Sequence, residues 1–84
     1  MTVFVRYPTM EFIARYYAGR LYIKPLSENA KNLLMLMNKQ VVEPHELFLI
    51  TEIGFRLSFV GDMEALEKVL IPHHLEHLIR QKDL

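Results

Sequence analysis

Within residues 19–39 the spacing of the apolar residues changes from every second position to helical spacing. This change from a strand pattern to a helix pattern constrains the fold more than any other feature. Leu21 and Ile23 alternate with polar neighbours, which is typical of a half-buried strand. Pro25 cannot donate to a sheet, so it should end that strand. Ser27 is placed to cap a helix that follows. The apolar residues of this helix recur at helical spacing and form one stripe; they are Ala30, Leu33, Leu34 and Met37, with Leu36 beside them.

Length and composition predict one small domain that spans residues 1–84. A chain this short buries only about 60–65% of its unfolded surface, so its stability is marginal unless it associates. Hydrophobic residues make up 51% of the sequence, which is rich for so small a domain. The mixture of strand and helix patterns predicts an α+β fold, with a sheet of about three strands covered by helices on one face. The apolar excess leads us to expect a homodimer.

Two interpretations are open for residues 9–18. The apolar and aromatic residues of this segment recur at helical spacing, which favours a helix ended by Gly19. The alternative is a hairpin with strands at 12–17 and 20–25, which the tyrosines and β-branched residues support. The helix is the interpretation that we favour. Before it, the alternation in residues 2–7 predicts a strand.

A helix is predicted over residues 45–53. Pro44 suits the first turn of a helix, and Gly54 suits its end. The continuous apolar run at 47–50 fits a buried strand equally well, because periodicity does not separate the two for so short a run.

The remaining elements are a strand and two helices. Residues 55–60 predict the strand. Asp62 is a strong cap for the helix that follows, and Pro72 should end or kink that helix. A last helix is predicted over residues 73–82.

The two halves of the sequence resemble each other weakly. At one fixed offset, Arg20, Leu21 and Glu28 coincide with Arg56, Leu57 and Glu64. The pattern is compatible with a duplicated helix–strand–helix unit, which would make the strands at 20–24 and 55–60 neighbours in one sheet. The alternative is that strand–turn–helix units of different origin look alike.

Apolar residues outside the predicted core suggest a surface that binds another protein. Met35 lies opposite the apolar stripe of its helix, and methionine adapts well to different contacts. The plain alternative is a single exposed side chain, which is common in proteins. The candidate partner-binding residues are Met35, Leu36, Tyr16 and Tyr17. We therefore expect a small non-enzymatic interaction or regulatory protein that binds another protein, or itself.

Charge is divided unequally between the two halves, although the whole chain has no net charge. Residues 1–40 hold six lysines and arginines against two glutamates, whereas residues 41–84 hold four against eight acidic residues. One explanation is that the two halves attract each other within one fold, and another is that they do so between two docked chains. The third explanation is a nucleic-acid surface, because cations alternate with aromatic residues as in single-strand binders. Its candidate residues are Arg15, Arg20, Tyr22 and Lys24.

Reactive groups are scarce in this sequence. It has no cysteine and only three glycines, so thiol chemistry and glycine-rich phosphate loops are excluded. His73 and His77 would share a helix face, but two histidines fall short of the four ligands of a structural zinc site. We expect no catalytic residue, cofactor, metal or small-molecule substrate. A run of about 18 apolar residues is missing and the start lacks the layout of a secretory signal, so we expect a cytoplasmic protein without a membrane partner.

Overall fold

Three strands form one mixed sheet in the computed structural model, which describes residues 8–80. They are β1 (Thr9–Tyr17), β2 (Arg20–Pro25) and β3 (Arg56–Gly61). The spatial order is β2-β1-β3, with β1 antiparallel to β2 and parallel to β3. The long strand β1 is therefore the centre of the sheet. The strand predicted at residues 2–7 lies outside the described residues.

Three α-helices and two short 3₁₀-helices complete the fold. The α-helices are α1 (Glu28–Leu36), α2 (Pro44–Glu52) and α3 (Met63–Leu70). The 3₁₀-helices are Ile71–His73 and Glu76–Arg80. The predictions of helices after Ser27, over residues 45–53 and after Asp62 are thus confirmed. No helix among the described residues combines the length and the hydrophobicity needed to cross a bilayer.

The helix predicted over residues 9–18 is wrong, and the alternative hairpin is the observed structure. Ala18 and Gly19 both have positive φ angles, 53° and 79°, which is the pattern of a two-residue type I′ hairpin turn. Gly19 therefore closes a hairpin and does not end a helix. Along β1 the burial alternates with a period of two over Met10, Phe12 and Ala14. This period follows the sheet, and it overrides the helical spacing of the aromatic residues.

The two halves do not share a helix–strand–helix order. The units β2–α1 and β3–α3 correspond, but β1 precedes the first unit and α2 precedes the second. The strands β2 and β3 are also not neighbours, because β1 lies between them. The strands at 20–24 and 55–60 are therefore not neighbours in the sheet, as the duplicated-unit alternative would have required.

The core lies on one face of the sheet. Phe12 is fully buried at the centre of β1, and its ring stacks on that of Phe59 with 6.0 Å between ring centroids. All three α-helices contribute buried residues to the same cluster, which includes Ala30, Leu34, Leu47, Ile50, Leu66 and Leu70. The prediction of an α+β domain with a three-stranded sheet and helices on one face is confirmed.

Ser27 occupies the N-cap position of α1, but its side chain makes no capping hydrogen bond. Its hydroxyl accepts a hydrogen bond from the backbone N–H of Glu11 at 2.9 Å and donates one to Asn29. The Asn29 amide donates to the backbone oxygen of Thr9 at 3.0 Å. The start of α1 is thereby attached to β1, and the predicted capping role is replaced by this contact between elements.

Gly61 permits a close approach at the end of β3. Its φ angle is +96°, and a Cβ atom at this position would lie 2.3 Å from the backbone oxygen of Ala14. The same oxygen accepts a hydrogen bond of 2.8 Å from the N–H of Asp62, whose side chain caps α3 at Ala65. A residue without a side chain is therefore needed where the sheet passes into α3.

The last predicted helix, over residues 73–82, is not a continuous α-helix in its described part, residues 73–80. His74 has a positive φ angle of 58° and separates the two 3₁₀-helices. Leu75 and Leu78 are buried, because they pack into the common core. His73 and His77 lie on different short helices and are exposed, so the spacing that would align their imidazoles does not apply.

Candidate nucleic-acid interface and exposed apolar residues

One face of the sheet carries no helix within residues 8–80. Side chains of adjacent strand residues point to opposite faces, and the helices pack on the face that holds Phe12. We call the other side the open face. It comprises Thr9, Glu11, Ile13, Arg15 and Tyr17 of β1, Arg20, Tyr22 and Lys24 of β2, and Arg56, Ser58 and Val60 of β3.

The strand register places cations beside aromatic rings on the open face. Arg15 lies opposite Tyr22, and Tyr17 lies opposite Arg20. Directly opposed residues of antiparallel strands have Cβ atoms about 4.5–5.5 Å apart. Each of these two rows therefore combines a guanidinium group with a phenol ring.

The open face is basic. It holds four cationic side chains and one carboxylate, that of Glu11. The cations are Arg15, Arg20, Lys24 and Arg56. Since the whole chain has no net charge, this excess of positive charge is local to one surface.

A hollow of about 390 Å³ lies on the open face where β2 meets the segment that follows α1. Arg15, Tyr17, Tyr22 and Lys24 line it from the sheet, and Gln40 and Val41 close its outer side. The backbone N–H of Val42 donates to the oxygen of Ile23 at 2.9 Å. This bond holds the segment against the outer edge of β2.

All four residues predicted to bind nucleic acid lie on the open face. Arg20, Tyr22 and Lys24 share it because they alternate along one strand, as the sequence indicated. Arg15 joins them because residues 9–17 form a strand, which differs from the favoured prediction. Sequence reasoning missed Gln40, since a polar residue in a connecting segment carries no periodic signal.

The residues predicted to bind a protein partner occupy separate places. Tyr16 and Tyr17 are consecutive in β1 and point to opposite faces of the sheet. Both are exposed, and only Tyr17 belongs to the open face. Met35 and Leu36 lie at the end of α1 and are 74% and 85% exposed.

The outer side of α2 is a further exposed apolar surface, which sequence reasoning missed. Leu47 and Ile50 of this helix are buried in the core. Phe48, Leu49 and Ile53 remain exposed, and the last of these is 66% exposed. The signal was the uninterrupted apolar run at 47–50, because a helix with such a run has apolar residues on more than one side.

A cluster of charged groups surrounds the start of α2. Glu46 accepts hydrogen bonds from the ammonium group of Lys39 and, at 2.9 Å, from the backbone N–H of Glu43. Burial raises the pKa of Glu46, but these two hydrogen bonds and the charges of Lys39 and His45 outweigh it and hold the pKa below the ordinary glutamate value. The carboxylate is therefore ionised at neutral pH and stabilises the beginning of the helix.

This cluster also contains potential metal ligands. Ligand atoms of Glu43, His45 and Glu46 lie within 4.8 Å of one another. Lys39 already places a positive charge on the Glu46 carboxylate, and a metal ion would have to compete with it. The arrangement is accounted for by the ion pair and by the capping box that Glu43 and Glu46 form.

Comparison with known proteins gives no match to a family model, to a curated protein or to a solved structure.

Proposed function

We propose that this chain is a non-enzymatic binding protein that holds single-stranded nucleic acid on its open face. The observation that carries the proposal is the basic, tyrosine-bearing sheet surface, which no helix of residues 8–80 covers, in a chain without net charge. The sequence alone ranked this function second to protein binding. We place nucleic-acid binding first because Arg15 lies beside Tyr22. The observed hairpin brings these two residues together, whereas a helix at 9–18 would have kept them apart.

The physical basis is stacking combined with charge neutralisation. A base that is free of a duplex can stack on a tyrosine ring, which contributes about 1–3 kcal/mol per base. Arg15, Arg20 and Lys24 are close enough to Tyr22 in the register to reach the phosphates on either side of that base. Stacking on tyrosine rings favours single strands, because the bases of a duplex are already stacked on each other.

The test is a titration of fluorescently labelled oligonucleotides of about 12 nucleotides, as single-stranded DNA, single-stranded RNA and duplex DNA. We expect the single strands to bind more tightly than the duplex at low salt. If three cations contact phosphates, a plot of log affinity against log salt concentration should have a slope of about −2. Absence of binding to every single strand at low salt would contradict the proposal.

Matched variants assign the binding to the open face. Tyr22→Ala should weaken binding about tenfold, whereas Tyr22→Phe should keep most of it because the ring remains. Lys24→Gln should make the salt slope shallower by about 0.7. Lys31→Gln removes the same charge from α1, on the helical side, and should leave affinity and slope unchanged. Equal losses in the two lysine variants would show that only overall charge matters.

We propose as a second function that two copies of the chain associate through their helices. The exposed apolar residues at the end of α1 and on the outer side of α2 support this, since such residues are costly to leave in water. The same residues could instead bind a different protein, which was the first expectation from the sequence.

Light scattering coupled to size exclusion measures this association directly. We expect a dimer mass for the unmodified chain, and a shift toward the monomer for Met35→Glu, Leu36→Glu or Ile53→Glu. Lys24→Glu places the same residue on the exposed open face, on the other side of the sheet from the helices, and should leave the dimer intact. A monomer mass for the unmodified chain at high concentration would refute self-association.

A further inference from the structure

We infer that the hollow beside β2 receives one unstacked adenine base, whose edge is read by the side-chain amide of Gln40. This inference rests on the proposed function and adds base selectivity to it. It names a residue that lies outside the sheet and carries no charge, so its contribution is separable from stacking and from phosphate contacts.

The walls of the hollow suit a base. Tyr17 and Tyr22 line the hollow and bring two aromatic rings to a potential base, and Val41 adds an apolar contact on the outer side. Arg15 and Lys24 also line the hollow, so cations are available for the phosphates that precede and follow the base. The volume of about 390 Å³ lies at the lower end of the usual range for small-molecule sites.

Gln40 is held in place from both sides along the chain. The backbone N–H of Lys39 donates to the oxygen of Leu34 at 2.9 Å, and that of Val42 donates to Ile23 at the same distance. The ammonium group of Lys39 is further fixed by Glu46. Little backbone freedom is therefore lost when the Gln40 amide binds a ligand, which favours affinity.

The chemistry of the amide points to adenine. A glutamine side chain offers one acceptor and two donors in one plane. This set matches the neighbouring N6 donor and N7 acceptor of adenine, which is the familiar bidentate pairing of glutamine with this base. Gln40 is the side-chain amide that lines this hollow, and it also borders a second hollow near α1, which Asn38 lines.

The test compares two labelled oligonucleotides, a run of 12 thymidines and the same run with one central adenosine. We expect the adenosine to tighten binding about fivefold, and Gln40→Leu to remove that gain. The salt slope should be the same in the variant, because no charge is changed. Asn32→Leu is the matched control on α1 and should retain the gain, and circular dichroism should show that both variants are folded.

The outcomes separate this inference from the function on which it depends. Binding without any gain from adenosine, a gain for cytidine at the same position instead, or a gain that survives Gln40→Leu would each overturn the adenine pocket and leave single-strand binding in place. Failure of both oligonucleotides to bind at low salt would overturn the two together.

Discussion

Glu46 shows how one side chain can serve two neighbouring segments. Its carboxylate accepts from the N–H of Glu43, at the start of α2, and from the ammonium group of Lys39, in the segment after α1. A buried carboxylate is stable only when its charge is compensated in this way. Glu46 therefore fixes both the beginning of a helix and the segment that carries Gln40.

We predict that Glu46→Gln lowers the free energy of unfolding at neutral pH by about 1.5 kcal/mol. The folded-state pKa of Glu46 lies below the unfolded value, so its stabilisation is fully present above the unfolded pKa, about 4.3. It is lost as the pH falls through the folded pKa. The difference between the variant and the unmodified chain should therefore shrink between pH 6 and pH 3 in urea unfolding experiments.

Glu64→Gln is the control for this measurement. Glu64 pairs with Lys68 at 3.8 Å, but both side chains are strongly exposed, and such pairs contribute little. We expect almost no change in stability at either pH. If the free energy of unfolding of Glu46→Gln differed from that of the unmodified chain by a constant amount between pH 6 and pH 3, the charge of Glu46 would not be the source of the stabilisation.

The glycines in β3 and in the hairpin turn make different demands on the backbone. Both have positive φ angles, but a Cβ atom at Gly19 would meet nothing within 4 Å, whereas one at Gly61 would overlap a backbone oxygen. Gly19→Ala should cost about 1 kcal/mol from the backbone angle alone. We predict about 3 kcal/mol or more for Gly61→Ala, measured by chemical unfolding. Equal costs would mean that the close approach to Ala14 is unimportant.

At the level of the elements, the sequence predicted most of the fold. The strand β2 and the helices α1 and α3 were foreseen, because a single period dominates each segment and proline, serine or aspartate marks its ends. The element β1 was not foreseen. The sequence of β1 is compatible with the strand period and with helical spacing. Its pairing with β2 on one side and with β3 on the other favours the strand, and such pairing is not visible in a local sequence pattern.

The sequence predicted only the part of the candidate interface that lies on the single strand β2. Alternation within β2 predicted that Arg20, Tyr22 and Lys24 share a face. The contribution of Arg15 depends on the hairpin register, and that of Gln40 depends on a hydrogen bond between a connecting segment and the sheet edge. Both are tertiary features. The exposed apolar side of α2 could not be predicted either, because a continuous apolar run does not indicate which of its residues will be buried.

For the whole molecule, the main property is the division into two dissimilar sides. The sheet has its core residues on one face and cations with tyrosines on the other, while the helices expose apolar residues at the end of α1 and along α2. The charge imbalance between the halves of the sequence follows in part from this division, since three of the four cations on the open face come from the hairpin of β1 and β2.

The placement of all described helices on one side has a consequence for an assembly of two copies. If they join through their helices, the two sheets point away from each other, and the pair becomes bivalent. A short oligonucleotide would then occupy one copy at a time, whereas a strand long enough to wrap around the pair would bind both. Its second contact would be intramolecular, and the avidity would rise steeply with strand length without any change in either interface.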